Sequence, residues 1–466
     1  MSSRLLVVMV GVLLTFVTGV YAQQPSNGNA SPATAASTST SNDPAEEPGA
    51  GAFTLQGAAV ESARNVSRQS AVLAPYELPG TGIGGGEGSA QTILTAPSPG
   101  QGAPIRTESG ILFYPSVFFG FGYNDNVLSS KFDKLGSSLI NVSPQVMAEL
   151  KRRGDRYTAL FVANHTSYSD SSNDNYTNYE TWVAGDNYFT ARARMGWTLG
   201  QVSASDPRGA SLRATSTSPD HWNAPTLRGR FIYGAPEAAG RIEVDADTRH
   251  KRYDNNRAIT EIADRNENGL AGRFFYRLGS RSLALVEMSN RVFDYPSAAA
   301  SDDNTDRRLY VGYTWEASAA TTGIIKVGRM TKRFDQPGHD QYSGSAWEAT
   351  VRWLPRTYSA FEFMSAKLAE DPSGLGKYLL NTRNGISWKH QWSKSFTTVA
   401  STNLNRTIYA GTSRTDDVLG ISVTANYNFR RWLTTGVDFS NTNLQSSDTA
   451  AEWKRKVIMF TATFTL

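Results

Sequence analysis

The chain has 466 residues, and its 46 Lys and Arg against 42 Asp and Glu give a formal net charge of +4. It contains no cysteine, which excludes disulfides, cysteine catalysis and thiolate metal sites. The basic residues form no cluster, so nothing in the sequence indicates nucleic-acid binding. Apolar residues make up 39% and aromatic residues 11%, which suits either a soluble protein or a β-barrel, where only alternate strand residues are apolar.

The N-terminus has the pattern of a secretory signal peptide. Arg4 precedes an apolar run from Leu5 to Val17, and Val20-Tyr21-Ala22 fits a cleavage site after Ala22. We therefore predict that residues 1–22 are a signal peptide. No later run of about 18 apolar residues follows, so the sequence predicts no transmembrane helix in the exported chain.

Residues 23–105 are rich in Ser, Ala, Gly, Pro, Asn and Thr and show no sustained periodicity. Such a segment cannot bury a core, and we predict a disordered low-complexity periplasmic leader. The tract from Gly80 to Gly85 matches GxGxxG, but it follows no predicted strand and opens no predicted helix. We interpret it as a flexible glycine tract rather than a dinucleotide site.

The last residues of the chain alternate in polarity. Ile458, Phe460, Ala462, Phe464 and Leu466 make an apolar row, and the residues between them are mostly polar. Successive strand side chains point to opposite faces, so this segment is predicted to be a strand with one apolar and one polar face. Similar alternation occurs in residues 309–316, 346–353, 419–429 and 433–440.

Short and long connections alternate between the predicted strands from Ile111 onward. The short ones include Arg153-Gly154-Asp155, Leu278-Gly279-Ser280, Pro355-Arg356 and Arg430-Arg431. The long ones are polar and comprise residues 170–175, 206–221, 296–306, 335–341 and 445–452. This alternation is typical of an outer-membrane barrel with periplasmic turns and extracellular loops.

Residues 106–466 are accordingly predicted to be all-β, forming a transmembrane antiparallel β-barrel of about 18 strands, with 16 as the alternative. The number depends on residues 178–200, which form either one long strand or two strands with a turn near Ala191. Two strands in this region favour a barrel of eighteen strands. A soluble β-sandwich is the competing fold, but a terminal two-faced strand would leave an exposed edge that barrel closure removes.

Charged residues lie opposite the apolar rows of several predicted strands. We predict that the following residues face the lumen: Arg228, Arg230, Glu243, Asp245, Asp247, Arg249, Lys251, Arg273, Arg277, Glu287, Arg291, Glu348 and Arg352. Unpaired ions in a dry core are costly, so a charged inner wall indicates a hydrated lumen. In the competing interpretation, most of these charges pair across the wall and stiffen it, leaving a minority to select solutes.

Phe275 and Tyr310 also fall on inward rows of the predicted barrel. Their rings are candidates for stacking on the apolar faces of sugars. The alternative is that they pack beneath a loop folded into the lumen.

The sequence favours no enzyme, cofactor or metal site. Its five histidines are scattered, with neither an HExxH pair nor a GxSxG elbow. The segment Asn164-His165-Thr166-Ser167 has a His close to a Ser, as in catalytic sites where His activates a Ser nucleophile. So short a pattern is common by chance. Asp and Asn clusters at residues 124–126 and 301–303 are more typical of solvated turns than of Ca²⁺ ligands.

The first predicted barrel strand carries a compact motif. Ile111-Leu112-Phe113-Tyr114-Pro115 is followed by Gly120-Phe121-Gly122-Tyr123-Asn124-Asp125-Asn126-Val127. This segment resembles the opening of the second putative β-barrel porin family, whose first strand has a Pro, a Gly-Tyr pair and then Asp-Asp-Asn-Val-Phe. Asn124 stands in place of the first Asp and Leu128 in place of the Phe. With about eighteen strands after a leader, the resemblance covers roughly residues 105–466.

This resemblance implies a Gram-negative outer-membrane barrel that assists export of an exopolysaccharide or capsular polymer. It further implies contact with outer-membrane lipid and lipopolysaccharide, the barrel assembly machinery, a polysaccharide substrate and a periplasmic export partner. The alternatives are a general diffusion porin or small-solute channel, a barrel enzyme, and a non-conducting scaffold. The family supplies no catalytic residue, and no nucleic-acid partner is expected.

Overall fold

A computed structural model describes residues 104–206, 208, 216–235, 238–300, 303–318, 321–336, 341–371 and 375–465. The predicted signal peptide and nearly all of the predicted leader lie outside these residues. Among the residues described, no helix is long and apolar enough to cross a bilayer. The α-helix α1, Arg257–Thr260, is a single turn between two strands.

The described part of the chain is almost entirely strand. The strands are β1 Ile105–Arg106, β2 Leu112–Asn124, β3 Ser137–Arg152, β4 Asp155–Tyr168, β5 Tyr176–Tyr188, β6 Ala193–Asp206, β7 Asp220–Tyr233, β8 Gly240–Tyr253, β9 Arg265–Gly279 and β10 Ser282–Asp294. They continue as β11 Asn304–Ser318, β12 Thr321–Phe334, β13 Tyr342–Arg356, β14 Ser359–Glu370, β15 Leu379–Gln391, β16 Phe396–Tyr409, β17 Thr415–Arg430, β18 Leu433–Ser446 and β19 Trp453–Thr465.

The sheet closes on itself. Each strand from β2 to β19 pairs antiparallel with the next, and β19 returns to pair with β2 from Val457↔Asn124 to Thr465↔Ser116. The short β1 pairs with β2 outside the barrel. The predicted closed barrel of eighteen strands is confirmed. At a spacing of ~4.8 Å and a tilt of ~40°, eighteen strands enclose a backbone cylinder roughly 35 Å across.

Residues 178–200 form two strands, as the eighteen-strand interpretation required. β5 ends at Tyr188 and β6 begins at Ala193, so the turn lies where it was predicted. The predicted short connection at Pro355-Arg356 is two residues early, because β13 continues through Arg356 before the turn. The Arg153-Gly154 turn has positive φ at both residues (54° and 92°), the geometry of a two-residue hairpin that matches strand twist.

The outer wall carries an apolar belt bordered by aromatic rings. Exposed apolar side chains on the outward rows include Phe121, Ile140, Leu199, Leu227, Leu270, Met288, Val311, Val327, Ile421 and Phe460. At the short-turn end, Phe361 stacks on Trp353 at 5.4 Å and on Trp388 at 6.1 Å between ring centroids. A belt of this kind suits lipid, with the aromatic rings at the interface.

The seam between β19 and β2 depends on two glycines. Met459 on β19 projects inward over β2, where Gly120 and Gly122 lie on the facing row. A Cβ on either glycine would fall well within contact distance of the Met459 side chain, and one on Gly122 would also strike the backbone oxygen of Ile458. Gly122 belongs to the motif found in the sequence, and its small size permits the barrel to close over Met459.

We expect Gly122→Val to weaken barrel closure by about 1–3 kcal/mol, the usual cost of overpacking a filled site. The free energy of unfolding, measured by urea titration in detergent, checks this value. Gly272→Val on β9 is the matched control, since a Cβ there meets nothing within 4 Å. Equal stability of the two variants would contradict the role assigned to Gly122.

Candidate solute pathway in the barrel interior

The alternation of exposure along each strand defines the inward rows. On β8, Ile242, Val244 and Ala246 are exposed on the outer wall, whereas the residues between them face the interior. The charged residues named from the sequence all lie on such inward rows of β7–β10 and β13. Whether they contact a solute stays a prediction, but their partners are visible in the structure.

A continuous chain of ion pairs, the ion-pair ladder, crosses the inner wall from β7 to β13. It comprises Arg230, Asp245, Arg273, Glu287, Lys326 and Glu348, all of them buried. Their signs alternate along the ladder, so each charge lies between opposite charges and the low-dielectric wall can hold them.

The distances along the ladder are short. Arg230 Nε lies 2.6 Å from Asp245 Oδ1, and Arg273 Nη1 lies 2.5 Å from Asp245 Oδ2. Arg273 Nε donates to Glu287 Oε2 at 2.8 Å, which carries the ladder to β10. Lys326 Nζ then contacts Glu287 at 3.2 Å and Glu348 at 2.7 Å.

Glycines allow charges to pair across an intervening strand. Gly312 on β11 lies between β10 and β12, and a Cβ there would approach Lys326 Cγ to 3.0 Å. Lys326 therefore crosses β11 to reach Glu287. Gly269 on β9 has the same role, because its missing Cβ would meet both Asp247 and Arg291. Arg291 Nη1 reaches Asp247 on β8 at 2.8 Å.

A second group of ion pairs lies nearer the long-loop end. Glu267 accepts from Arg265 at 2.9 Å and lies 3.3 Å from Arg249. Arg291 connects Asp247 to this group, because its Nη1 also lies 3.8 Å from Glu267 Oε2. Most of the predicted lumen charges are thus neutralised by one another in the wall.

Lys251 belongs to a buried polar cluster centred on Asp206. Trp222 Nε1 and the Tyr253 hydroxyl donate to the Asp206 carboxylate at 2.9 Å and 2.7 Å. Lys251 Nζ lies 3.6 Å from the same carboxylate and 4.4 Å from the Trp222 ring centroid. This cluster fixes the loop ends of β6–β8 to one another.

Arg228 lies one inward position nearer the long loops than Arg230, and its Nη2 is 3.7 Å from Asp245, at the margin of the ladder. Arg277 and Arg352 lie toward the short-turn end. Arg277 donates to the backbone oxygens of Ala238 and Ser280 at 3.3 Å and 3.0 Å, which ties it to neighbouring turns. Arg352 on β13 is in register with Glu362 on β14.

Phe275 and Tyr310 face inward, but neither ring is open to a sugar. Phe275 is 1% exposed and packs against Leu285, with the Arg241 guanidinium 4.6 Å from its centroid. Tyr310 is 0% exposed, and Lys326 Nζ lies 5.0 Å from its centroid. The sugar-stacking expectation is corrected, because cations of the same wall and apolar neighbours cover both rings.

The opposite wall is mainly neutral. The inward rows of β16–β18 carry hydroxyl and amide side chains: Thr397, Ser401, Asn403, Asn405, Thr407, Ser422, Thr424, Asn426, Asn428, Thr434, Ser440 and Thr442. Some bond to one another, as Ser401 does to Ser422 at 2.7 Å. The Oδ1 atoms of Asn403 and Asn405 have no partner in the described part of the protein. This wall offers many weak hydrogen bonds and little charge.

Two inward carboxylates stand outside the ion pairs of the described residues. Glu180 lies on β5 between Val162 and Val202 of the neighbouring strands. Asp438 lies on β18 opposite Thr424, whose side chain is its hydrogen-bond partner. No salt bridge joins either residue to a cation of the described chain.

The motif residues of the first strand have structural roles at the loop end of the seam. Asn126 donates from Nδ2 to the backbone oxygens of Ser130 and Lys454, each at 2.8 Å. Asp125 accepts from the Lys456 backbone N–H at 2.6 Å. Asn124 accepts from the Asn126 N–H at 3.0 Å, and Val127 packs against Met459. Pro115 and Tyr123 lie on the outward row of β2.

The short His and Ser pattern forms no catalytic pair in this structure. His165 Nδ1 bonds to Thr177 Oγ1 at 2.8 Å on the outer face of β4, and no bond joins it to Ser167. Within the part of the chain that is described, no group of three or more His, Asp or Glu residues could hold a metal ion.

Sequence reasoning missed Lys326, the cation of the ladder that joins Glu287 to Glu348. β12 carries Gly323, Arg329 and Arg333 on its outward row, which weakens the apolar alternation of that strand. The sequence signal that could have identified Lys326 as inward-facing was its position between the apolar residues Ile325 and Val327, which are exposed on the outer wall.

A closed eighteen-strand antiparallel sheet with an apolar outer belt and a polar, ion-paired interior defines a porin-like transmembrane β-barrel. The family model described as Putative beta-barrel porin 2 matches residues 109–466, and the chain belongs to this family. The family resemblance expected from the first-strand motif is therefore confirmed. The family is described as porins, not as enzymes. No curated protein matches the chain.

Solved outer-membrane proteins resemble the fold at low identity. Pseudomonas aeruginosa OccK2 (OpdF) has a TM-score of 0.45 at 11% identity, over 76% of this chain and 98% of that chain. P. aeruginosa OpdK has a TM-score of 0.46 at 7% identity, over 76% and 98%. The FrpB iron transporter of Neisseria meningitidis has 0.42 at 12% identity, over 72% of this chain and 64% of that chain, so the match spans less than two thirds of FrpB. These likenesses concern the fold alone.

We expect Lys326→Met to destabilise the barrel by about 3 kcal/mol, because it leaves Glu287 and Glu348 buried with fewer cations. Urea unfolding in detergent measures the change. Lys454→Met is the control, since Lys454 is exposed on the outer wall and the same substitution there should change stability by less than about 0.5 kcal/mol. A tolerated Lys326→Met would show that the ladder is not an energetic unit.

Proposed function

We propose that the protein is a non-enzymatic pore of the Gram-negative outer membrane through which a saccharide polymer leaves the cell. The short turns would face the periplasm and the long loops the exterior, as in other barrels of this kind. The observation that carries the proposal is the division of the interior into an ion-paired wall and a hydroxyl and amide wall. The family membership supports a pore and leaves its solute open.

The neutral wall suits a chain of sugars. A polymer in transit needs weak, repeated contacts, since binding must remain weak enough for it to leave. Hydroxyl and amide groups exchange hydrogen bonds with sugar hydroxyls at little net cost, as they do with water. Thr424 and Asn426 on β17 are only partly buried on the inward row, so their polar groups are open to such contacts.

The ion-pair ladder supports the same role indirectly. Its charges are satisfied within the wall, so they do not hold a passing polymer in one place. They also stiffen β7–β13 against collapse of the lumen, because Arg273 and Lys326 each bridge carboxylates on different strands. Export would further require a periplasmic partner to deliver the polymer, and the barrel assembly machinery to insert the strands.

The paired substitution Thr424→Val with Asn426→Leu tests the saccharide wall. It removes two inward polar groups with little change in volume, and we expect neutral oligosaccharides to block single-channel current in a planar bilayer several-fold less. The ion conductance without sugar should remain, because the barrel is unchanged. Block of equal strength in the variant would contradict a role for this wall.

The chain supplies a matched control for that test. Thr382 and Asn384 have the same spacing on β15 but lie on its outward row. Thr382→Val with Asn384→Leu should leave the block of channel current by sugar as in the parent protein.

In cells, deletion of the gene should also reduce the amount of polymer at the surface. If the surface polymer is unchanged while sugar still blocks the channel current of the purified protein, a channel is favoured over an exporter.

The second candidate is a small-solute channel, and the inward carboxylates Glu180 and Asp438 favour it. Negative side chains at a pore wall raise the local concentration of cations. If small ions are the solutes, the reversal potential in a salt gradient should show cation preference in the parent protein. Glu180→Gln with Asp438→Asn should lower that preference.

The salt dependence of the same measurement supplies a check. Preference caused by wall charges should fade at high ionic strength, because the Debye length shrinks to roughly 3 Å at 1 M salt. A parent protein without ion preference, or a preference untouched by the two substitutions, would remove the support for this second candidate.

A further inference from the structure

Four cations lie close together on the outside of the barrel rather than in its lumen. We call Arg307 on β11, Arg329 and Arg333 on β12, and Lys367 on β14 the outer basic patch; all four are on outward rows. The three arginines are exposed, and Lys367 is half-buried. In register, Arg307 lies opposite Thr331 and Arg329 opposite Leu309, so the patch spans neighbouring strands.

The protein positions these cations without neutralising them. Arg307 Nε donates to Asn290 Oδ1 at 3.1 Å, and Arg329 Nη2 donates to Ser343 Oγ at 3.0 Å. Lys367 Nζ donates to Ser345 Oγ at 3.3 Å and lies over the Trp347 ring at 5.4 Å. Each of these partners is uncharged, so the positive charge of the patch stays uncompensated.

Within the described residues, no carboxylate lies within salt-bridge distance of the four cations. Elsewhere at the same end of the barrel, Lys131 contacts Glu452 at 3.0 Å, and Arg406 lies 3.9 Å from Asp417. Most of the predicted lumen cations also contact carboxylates. The outer basic patch differs from these ion-paired cations, and resembles the exposed Lys454 and Lys456 of β19, in lacking acidic partners among the described residues.

An apolar surface adjoins the patch on its short-turn side. Leu309, Val311 and Val327 follow directly along β11 and β12 and are about half-exposed. A ligand for this whole surface has acyl chains for the apolar rows and an anionic headgroup for the cations. Arginine guanidinium groups bind phosphate and carboxylate oxygens through two parallel hydrogen bonds, and phosphate is the anionic group that membrane lipid headgroups commonly carry.

We propose that the outer basic patch binds a phosphorylated lipid of the outer leaflet, with lipid A as the class of partner. The patch is at the long-loop end, which faces the exterior in barrels of this kind. In this site the phosphates of the lipid contact Arg307, Arg329, Arg333 and Lys367. The acyl chains of the lipid cover Leu309, Val311 and Val327. The proposal rests on the proposed outer-membrane location but does not depend on saccharide passage.

The test compares the refolded full chain with the variant Arg307→Gln/Arg329→Gln/Arg333→Gln. Binding is measured by native mass spectrometry with bisphosphorylated lipid A, with dephosphorylated lipid A, and with inorganic phosphate as competitor. We expect the parent to prefer the phosphorylated lipid and the variant to bind it about 100-fold more weakly, since each basic residue near an anionic lipid contributes separately.

The matched control is Arg406→Gln/Lys454→Gln/Lys456→Gln, which removes the same charge from outward rows of β16 and β19. It should bind lipid A as the parent does. Equal losses in both triple variants would indicate general charge attraction and overturn the assigned site. Full displacement of the lipid by inorganic phosphate would also overturn it, because the site would then belong to the free anion.

Heat-modifiable gel mobility shows whether each variant folds. If the triple variant does not fold, Arg329→Gln alone carries the test, since its partner is a single hydroxyl. Unchanged preference for phosphorylated lipid in that variant would refute the proposal. Block of the single-channel current by oligosaccharides, measured in zwitterionic bilayers, should be the same for parent and variant. Failure of the lipid site is therefore distinguishable from failure of the saccharide pore.

Discussion

Closure of the sheet between β19 and β2 is the constraint on which the rest of the structure depends. In lipid, no water can bond to a free strand edge, so every backbone N–H and C=O must find a partner within the protein. The seam achieves this because Gly120 and Gly122 leave space for Met459, and because Asn126 and Asp125 bind the backbone of β19. Once the ring is closed, the strand period of two assigns every side chain to lipid or lumen.

That assignment leads to two different inner walls. Along β7–β13 the inward charges satisfy one another, mostly between adjacent strands, and across an intervening strand where a glycine such as Gly312 or Gly269 leaves room for the side chain. Along β16–β18 most inward groups are neutral hydroxyls and amides, with Asp438 as an exception. In the proposed pore, rigidity and contact with solute would therefore be carried by different strands, and a change in one wall need not alter the other.

The sequence was sufficient for features that depend on period alone. Alternation gave the terminal strand and the inward position of Arg273 or Glu287, because side-chain direction follows from position along a strand, but it left residues 178–200 open between one strand and two. It could not give partners, since Lys326 and Glu287 are 39 residues apart and meet only through the register of three strands. For the same reason the sequence did not reveal that cations cover Phe275 and Tyr310.

β11 and β12 carry cations on both faces, and the cations of the two faces have different partners. Inside, Arg308 and Lys326 contact carboxylates of the same protein, because ions in a wall of low dielectric require nearby opposite charge. Outside, Arg307 and Arg329 donate to neutral groups, and no carboxylate of the described residues pairs with them. Next to an apolar surface that water does not cover, such charges need an external counterpart, and in a membrane the available anions are lipid headgroups. The same two strands would then join the rigid wall of the pore to the lipid around it.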